Sequence, residues 1–180
     1  NRVRFLLQLN DGRMAVFTEG TLNLYDGSSF KYIHLENNHI YPLPGYQKFL
    51  MAYKDDNYIW FKTSGWLALV DIKHECCVKN ISDIFSSMGI DENVSDFFID
   101  KEFNYWIKTV SDRLFLKKHG VAKAELVLNN VSGIGTVKEE LYNLAKIGNK
   151  LYLIYRMGLV ACYDIKTGRH IFSVNTLTKE

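Results

Sequence analysis

Apolar and polar residues alternate with a period of two through most of this chain, in runs of five to seven, the signature of half-buried strands. The runs are grouped. Four segments share one layout of polar opening, alternating run, small or polar turn and second alternating run: 11-DGRMAVFTEGTLNLYDG-27, 56-DNYIWFKTSGWLALVDI-72, 102-EFNYWIKTVSDRLFLKK-118 and 149-NKLYLIYRMGLVACYDI-165. Their turn residues, Gly20, Gly65, Asp112 and Gly158, are separated by 45, 47 and 46 residues, so the chain is a repeat.

A further apolar run precedes each copy (3–9, 47–53, 94–100 and 142–148) and another follows it (29–35, 75–81, 121–127 and 169–175). Four short strands per unit of about 45 residues is the pattern of a β-propeller blade, a sheet that buries its faces only on its neighbours. The predicted fold is therefore all-β: a β-propeller fragment of about four four-stranded antiparallel blades, over residues 1–36, 46–81, 94–128 and 141–176. In strand two, Trp60 and Trp106 occupy one column, with Ala15 and Leu153 in the same column of the other copies. A large residue recurring there is read as blade packing rather than a ligand platform.

The connections 36–45, 82–93 and 128–140 differ from copy to copy, and variable loops on a repeated scaffold are where function resides. The middle one predicts a short helix with Ser82 as N-cap, Ile84, Phe85 and Met88 on one face, and Gly89 as the stop. In the third, a helix from Thr136 into Leu144 competes with a strand over 142–148.

Composition narrows the function. The 180 residues include 14% aromatics and carry 22 basic and 20 acidic side chains with no run of five like charges, which leaves no footprint for nucleic acid or an anionic membrane. No apolar window reaches 18 residues, and the first residues show neither an initiator Met nor a signal-peptide pattern, so the sequence reads as an internal piece of a longer chain. Cys76, Cys77 and Cys162 form no CxxC pair and fix no disulfide; they read as small buried hydrophobes.

The chain carries no GxSxG, HExxH or P-loop motif, and 133-GIGTVK-138 lacks the third glycine of a dinucleotide fingerprint. His74, His119 and His170 recur in or beside the hairpins joining strands three and four, where blades fanning round an axis keep them too far apart for one metal. Asp26, Asp71 and Asp164 share the end of strand three and read as turn formers. Three Asn-x-Ser sequons, at Asn80, Asn93 and Asn130, fall in or beside the long loops. We expect no cofactor, no metal and no catalytic residue.

The repeated pattern of Asp, a polar turn, Tyr-Trp-x-x-Thr and Leu-x-Leu, seen in 55-DDNYIWFKTSGWLAL-69 and 100-DKEFNYWIKTVSDRLFL-116, resembles the regulator propeller of hybrid two-component sensors. Met-Gly-Ile within 81-ISDIFSSMGIDENVSDFFID-100 adds to the likeness. Departures are the missing Trp in copies one and four and Asp112 at the third turn. The resemblance implies a non-catalytic portion of a periplasmic sensor region, whose parent continues into a membrane helix, a histidine kinase, a receiver and a DNA-binding domain. It implies recognition of an oligosaccharide and packing against the remaining blades of the parent propeller.

Four blades also imply apolar end faces on which a second copy could dimerise. In propeller topology the interblade loops and the turns between strands two and three open on one side, which nominates His39, Tyr41, Tyr46, Trp66, Arg113 and Arg156 as ligand-binding residues. Trp66 is not demanded by the repeat, since the matching positions are Thr21, Arg113 and Leu159; packing under the 36–45 loop is its alternative role. The competing functions are a protein-interaction scaffold, and a propeller lyase or hydrolase, for which Asp96 and Asp100 are the inner-strand carboxylates.

Overall fold

The structure, a computed structural model, describes residues 2–18, 21–44, 51–54, 57–63, 65–132 and 140–177. Tyr46, Gly20 and the segment 133–138 lie outside them. The chain divides into two compact units, Asn1–Pro42 with Phe49–Ile84, and Leu43–Lys48 with Phe85–Glu180.

In the first unit, β1 (Val3–Gln8), β2 (Met14–Thr18), β3 (Thr21–Tyr25) and β4 (Phe30–Ile33) form an antiparallel meander in chain order. The second sheet of this unit contains β5 (Tyr41–Pro42), β6 (Met51–Lys54), β7 (Tyr58–Thr63), β8 (Trp66–Asp71) and β9 (Cys76–Cys77). Ala15, Phe17, Leu22 and Leu24 of one sheet and Ile59, Phe61, Ala68 and Val70 of the other make the core, with the Phe17 and Phe61 rings stacked 4.4 Å apart.

In the second sheet the structure departs from the expected run of four strands. The predicted fourth strand over 75–81 pairs only at Val70↔Cys77 and Asp71↔Cys76. After Val78 donates its amide to Leu69 O, Asn80 takes a left-handed conformation (φ 54°) and the chain turns into helix α1 (Ile81–Ser87). The vacated half of the β8 edge is filled by β5 through Tyr41↔Leu67 and Pro42↔Trp66, so part of the expected 36–45 loop is an edge strand. Pro42 suits this place because an edge residue needs no inward amide. Cys77 is buried there, and burial first, then the neighbouring Cys76 and Glu36, push its thiol up to about 11.

Helix α1 starts one residue before the expected N-cap Ser82, with Asp83 N–H donating to Asn80 O. Its end is as expected. Gly89 (φ 87°) stops it, Gly89 N–H bonding Ser86 O and Ile90 N–H bonding Phe85 O, the paired bonds of a Schellman turn with Phe85 and Ile90 both buried.

The second unit holds two further meanders: β10 (Val94–Ile99), β11 (Tyr105–Thr109), β12 (Leu114–Lys117) and β13 (Glu125–Leu128), then β14 (Leu141–Ile147), β15 (Lys150–Tyr155), β16 (Leu159–Asp164) and β17 (His170–Asn175). Residues 141–144 are strand, which removes the helical alternative there; Thr136 lies outside the described residues. Trp106, Phe98, Leu114 and Leu116 of one sheet pack with Leu144, Leu151, Leu153 and Ala161 of the other.

Strand register corrects one column of the repeat. Tyr58 pairs with Asp71 and Lys150 with Asp164, so Tyr152, not Leu153, is the counterpart of Trp60. Leu153 belongs to the opposite face, with Phe61. Turn-based alignment slipped because three residues separate Tyr155 of β15 from Leu159 of β16, whereas only two separate the paired Thr63 and Trp66. One packing rule then holds in both units: the earlier sheet offers the face of the Ala15 or Trp106 column and the later one offers the Phe61 or Leu153 column.

Candidate ligand cleft

The repeated aspartates act as turn formers. Asp26 Oδ1 accepts the amides of Ser28 and Ser29, Asp164 Oδ1 accepts the Thr167 amide and hydroxyl, and Asp71 Oδ1 accepts the His74 amide. The amide bonds from Ser29 and Ser28 hold the Asp26 carboxyl far below the usual carboxylate range. His74 and His119 are exposed at turns, and His170, the first residue of β17, is exposed as well. Asp100, one of the two inner-strand carboxylates, is tied into the fold by the amides of Glu102 and Asn104, by Asn104 Nδ2, and by Trp106 Nε1–H at 2.9 Å.

The nominated ligand residues separate. His39 is 7% exposed in a 3-10 turn, Asn37–His39, and its Nδ1 accepts the Glu36 amide at 3.0 Å, so its ring braces the connection. Trp66 is partly buried against the first unit's core and pairs with Pro42, and Tyr41 pairs beside it with Leu67. Packing is therefore what the structure shows for Trp66. Arg156 is exposed and bridges Glu140 at 3.2 Å.

Of the five nominated residues that are described, Arg113 alone lines this large cleft. About 870 Å³ in volume, the cleft opens at the β11–β12 turn and is bounded by Gly89–Glu92, Ser111–Arg113, Phe115 and Asn129–Asn130 of the second unit. That volume is within the range of ligand pockets. Three devices shape it. The Schellman turn at Gly89 directs Asp91 and Glu92 to its rim. Arg113 and Phe115 lie two apart along one face, which sets the guanidinium 5.4 Å from the Phe115 ring centroid, while Glu92 accepts Ser111 Oγ–H and ion-pairs with Arg113.

The third device is Asp112. It takes the left-handed conformation (φ 66°) that Gly65 and Gly158 take at their turns, which explains how an aspartate stands in the glycine column. Its carbonyl accepts the Val131 amide, its carboxylate accepts the Ser132 amide at 2.7 Å and hydroxyl at 2.6 Å, and Lys108 Nζ lies 3.0 Å away. With Tyr155 O–H donating to Val131 O, the clamp presents Asn129 and Asn130 to the cleft. Residue spacing could not have nominated Asp91, Glu92 or Asn129, whose only signal was their place in variable connections, and Asn130 stood out there only as a sequon.

Burial pushes the Asp112 carboxyl up, but the Ser132 bonds and Lys108 together leave it below its ordinary value. A folded value below the unfolded one means the clamp stabilises the fold above the usual carboxylate range and is lost as pH falls through the lowered value. Hydrogen exchange of the Ser132 amide should show a constant protection factor from neutral pH down into that range and a steep loss beneath it; Asp112→Asn should lower protection already at pH 7.

No family model matches the chain, and no curated protein matches it. Among solved structures, the chain is similar to the extracellular domain of a hybrid two-component system from B. thetaiotaomicron, with TM-score 0.57 and 18% identity over 96% of this chain and 25% of that one. It is also similar to PorZ, a surface component of the type-IX secretion system of Porphyromonas gingivalis (TM-score 0.53, 12% identity, 94% of this chain and 22% of that one). A third similar structure is the β-propeller domain of Swd1 from Myceliophteria thermophila (TM-score 0.51, 12% identity, 99% and 56%). These likenesses show the fold. The chain is a β-propeller portion of four antiparallel blades, and it spans a quarter of the length of the extracellular domain named first among them.

Proposed function

We propose that the chain is part of the periplasmic sensor region of a hybrid two-component histidine kinase, recognising an oligosaccharide and relaying its presence without catalysing a reaction. The cleft carries this reading. It joins amide groups (Asn129, Asn130), a carboxylate (Asp91) and a guanidinium (Arg113) to an aromatic ring (Phe115), and sugars require such planar hydrogen-bonding groups beside an apolar surface. The likeness in fold to the extracellular domain of a hybrid two-component system supports the same reading.

Calorimetric titration of the full chain with gluco-, manno-, xylo-, arabino- and galacto-oligosaccharides should find at least one that binds. Arg113→Ala should weaken it roughly tenfold or more, the scale of a lost hydrogen bond to a charged group. Absence of binding by every member, or equal affinity in the variant, would refute the reading. A second reading, a dimerising or blade-pairing scaffold, is favoured by one observation: β17 exposes Ile171, Phe172 and Val174 by 46%, 42% and 50%.

A further inference from the structure

We infer that the cleft selects uncharged oligosaccharides and rejects those bearing uronate or sulfate groups. The inference rests on the reading of the cleft as a saccharide site, and it follows from how the charges there are paired.

The lining holds three carboxylates, Asp91, Glu92 and Asp112, against one guanidinium, Arg113. Among the described residues, the cations at or beside the lining are already engaged, Lys123 beside Gly89 donating to Ser87 O. Arg113 is ion-paired with Glu92 and stationed over Phe115, and Lys108 is held by Asp112 at 3.0 Å. Asp91, at the exposed rim, is partnered by neither Arg113 nor Lys108, so the lining itself carries more carboxylates than cations.

An anionic sugar therefore meets repulsion from Asp91. To use Arg113 as its counter-ion it must also compete with Glu92, whose side chain is only 18% exposed and is left without its cation if displaced. Both effects disfavour the charged ligand: like charges a few ångströms apart repel, and a carboxylate stripped of its partner in a partly dry site is destabilised. A neutral sugar incurs neither. Its hydroxyls can donate to Asp91, and can both donate to and accept from the Asn129 and Asn130 amides, which offer the two roles side by side. Arg113, held by Glu92, keeps the remaining N–H groups of its fork for sugar oxygens.

The test is a glycan array probed with the full chain, carrying neutral oligosaccharides and uronate- or sulfate-bearing counterparts on the same backbones, with affinities of hits measured by calorimetry. The expected result is binding confined to neutral members, their acidic counterparts weaker by tenfold or more. Asp91→Asn, at an exposed position that does not threaten folding, should narrow that gap several-fold. Glu92→Gln should narrow it further by freeing Arg113. Acidic members binding as well as neutral ones would overturn the inference while leaving the saccharide reading intact, and binding of no glycan would overturn both. A gap unchanged in both variants, with folding verified by circular dichroism, would show that charge is not the selector and would also overturn it.

Discussion

Trp106→Ala should destabilise the second unit by about 3–5 kcal/mol, the range for truncating a large buried aromatic. Trp106 is fully buried between two sheets, where it packs with Leu114, Leu116, Leu151 and Leu153. Its loss removes apolar area and opens a cavity that neighbours on two rigid sheets cannot close. The indole also donates Nε1–H to Asp100, whose carboxylate organises the β10–β11 turn. Trp106→Phe keeps most of the ring and loses this bond, so it should cost less, about 1–2 kcal/mol. Urea denaturation followed by circular dichroism measures both; a Trp106→Ala loss under 1 kcal/mol would contradict the packing described.

For Trp66→Ala the expected outcome is a loss of about 2 kcal/mol in stability with saccharide affinity unchanged within twofold. The indole is partly buried on the first unit's core, on the strand that pairs with Tyr41–Pro42, whereas the cleft is built from residues of the second unit. Denaturation and calorimetry on the same variant separate the two roles. A Trp66→Ala chain of normal stability that no longer binds sugar would return Trp66 to the ligand site and displace Arg113 from it.

The difference between these two tryptophans shows how far residue pattern reaches. Trp60 and Trp106 recur at one column and are buried, as recurrence predicts. Trp66 breaks the repeat, and exceptions to a repeat invite a functional reading. Its actual partner is Pro42, 24 residues upstream, brought there because the fourth strand of its own sheet ends at Cys77. Local alternation contains no term for an edge left half empty, so neither the early strand end nor its filling by β5 was legible. His39 went the same way: a polar residue in a variable loop reads as exposed until the 3-10 turn folds its ring back onto the Glu36 amide.

Arg113 was legible as a non-repeating cation at the strand two–three turn, and it does line the cleft. The rest of the site was not. Glu92 lies 21 residues before Arg113 and Asn130 lies 17 after it, and only the pairing of β10 with β11 and the Asp112 clamp on Ser132 bring the three connections together.

What the chain determined by itself is therefore everything periodic: the strands, the four-stranded unit, the aspartate turns, the helix stop at Gly89 and the burial of Trp106. Each follows from steric and solvation preferences acting over a few residues and repeated along the chain. Tertiary structure decided which strand fills a vacant edge, which face Leu153 occupies, and which loop side chains meet around one cleft. Those outcomes depend on ladder register and long-range closure, where a single extra residue in a turn moves a side chain to the opposite face of its sheet.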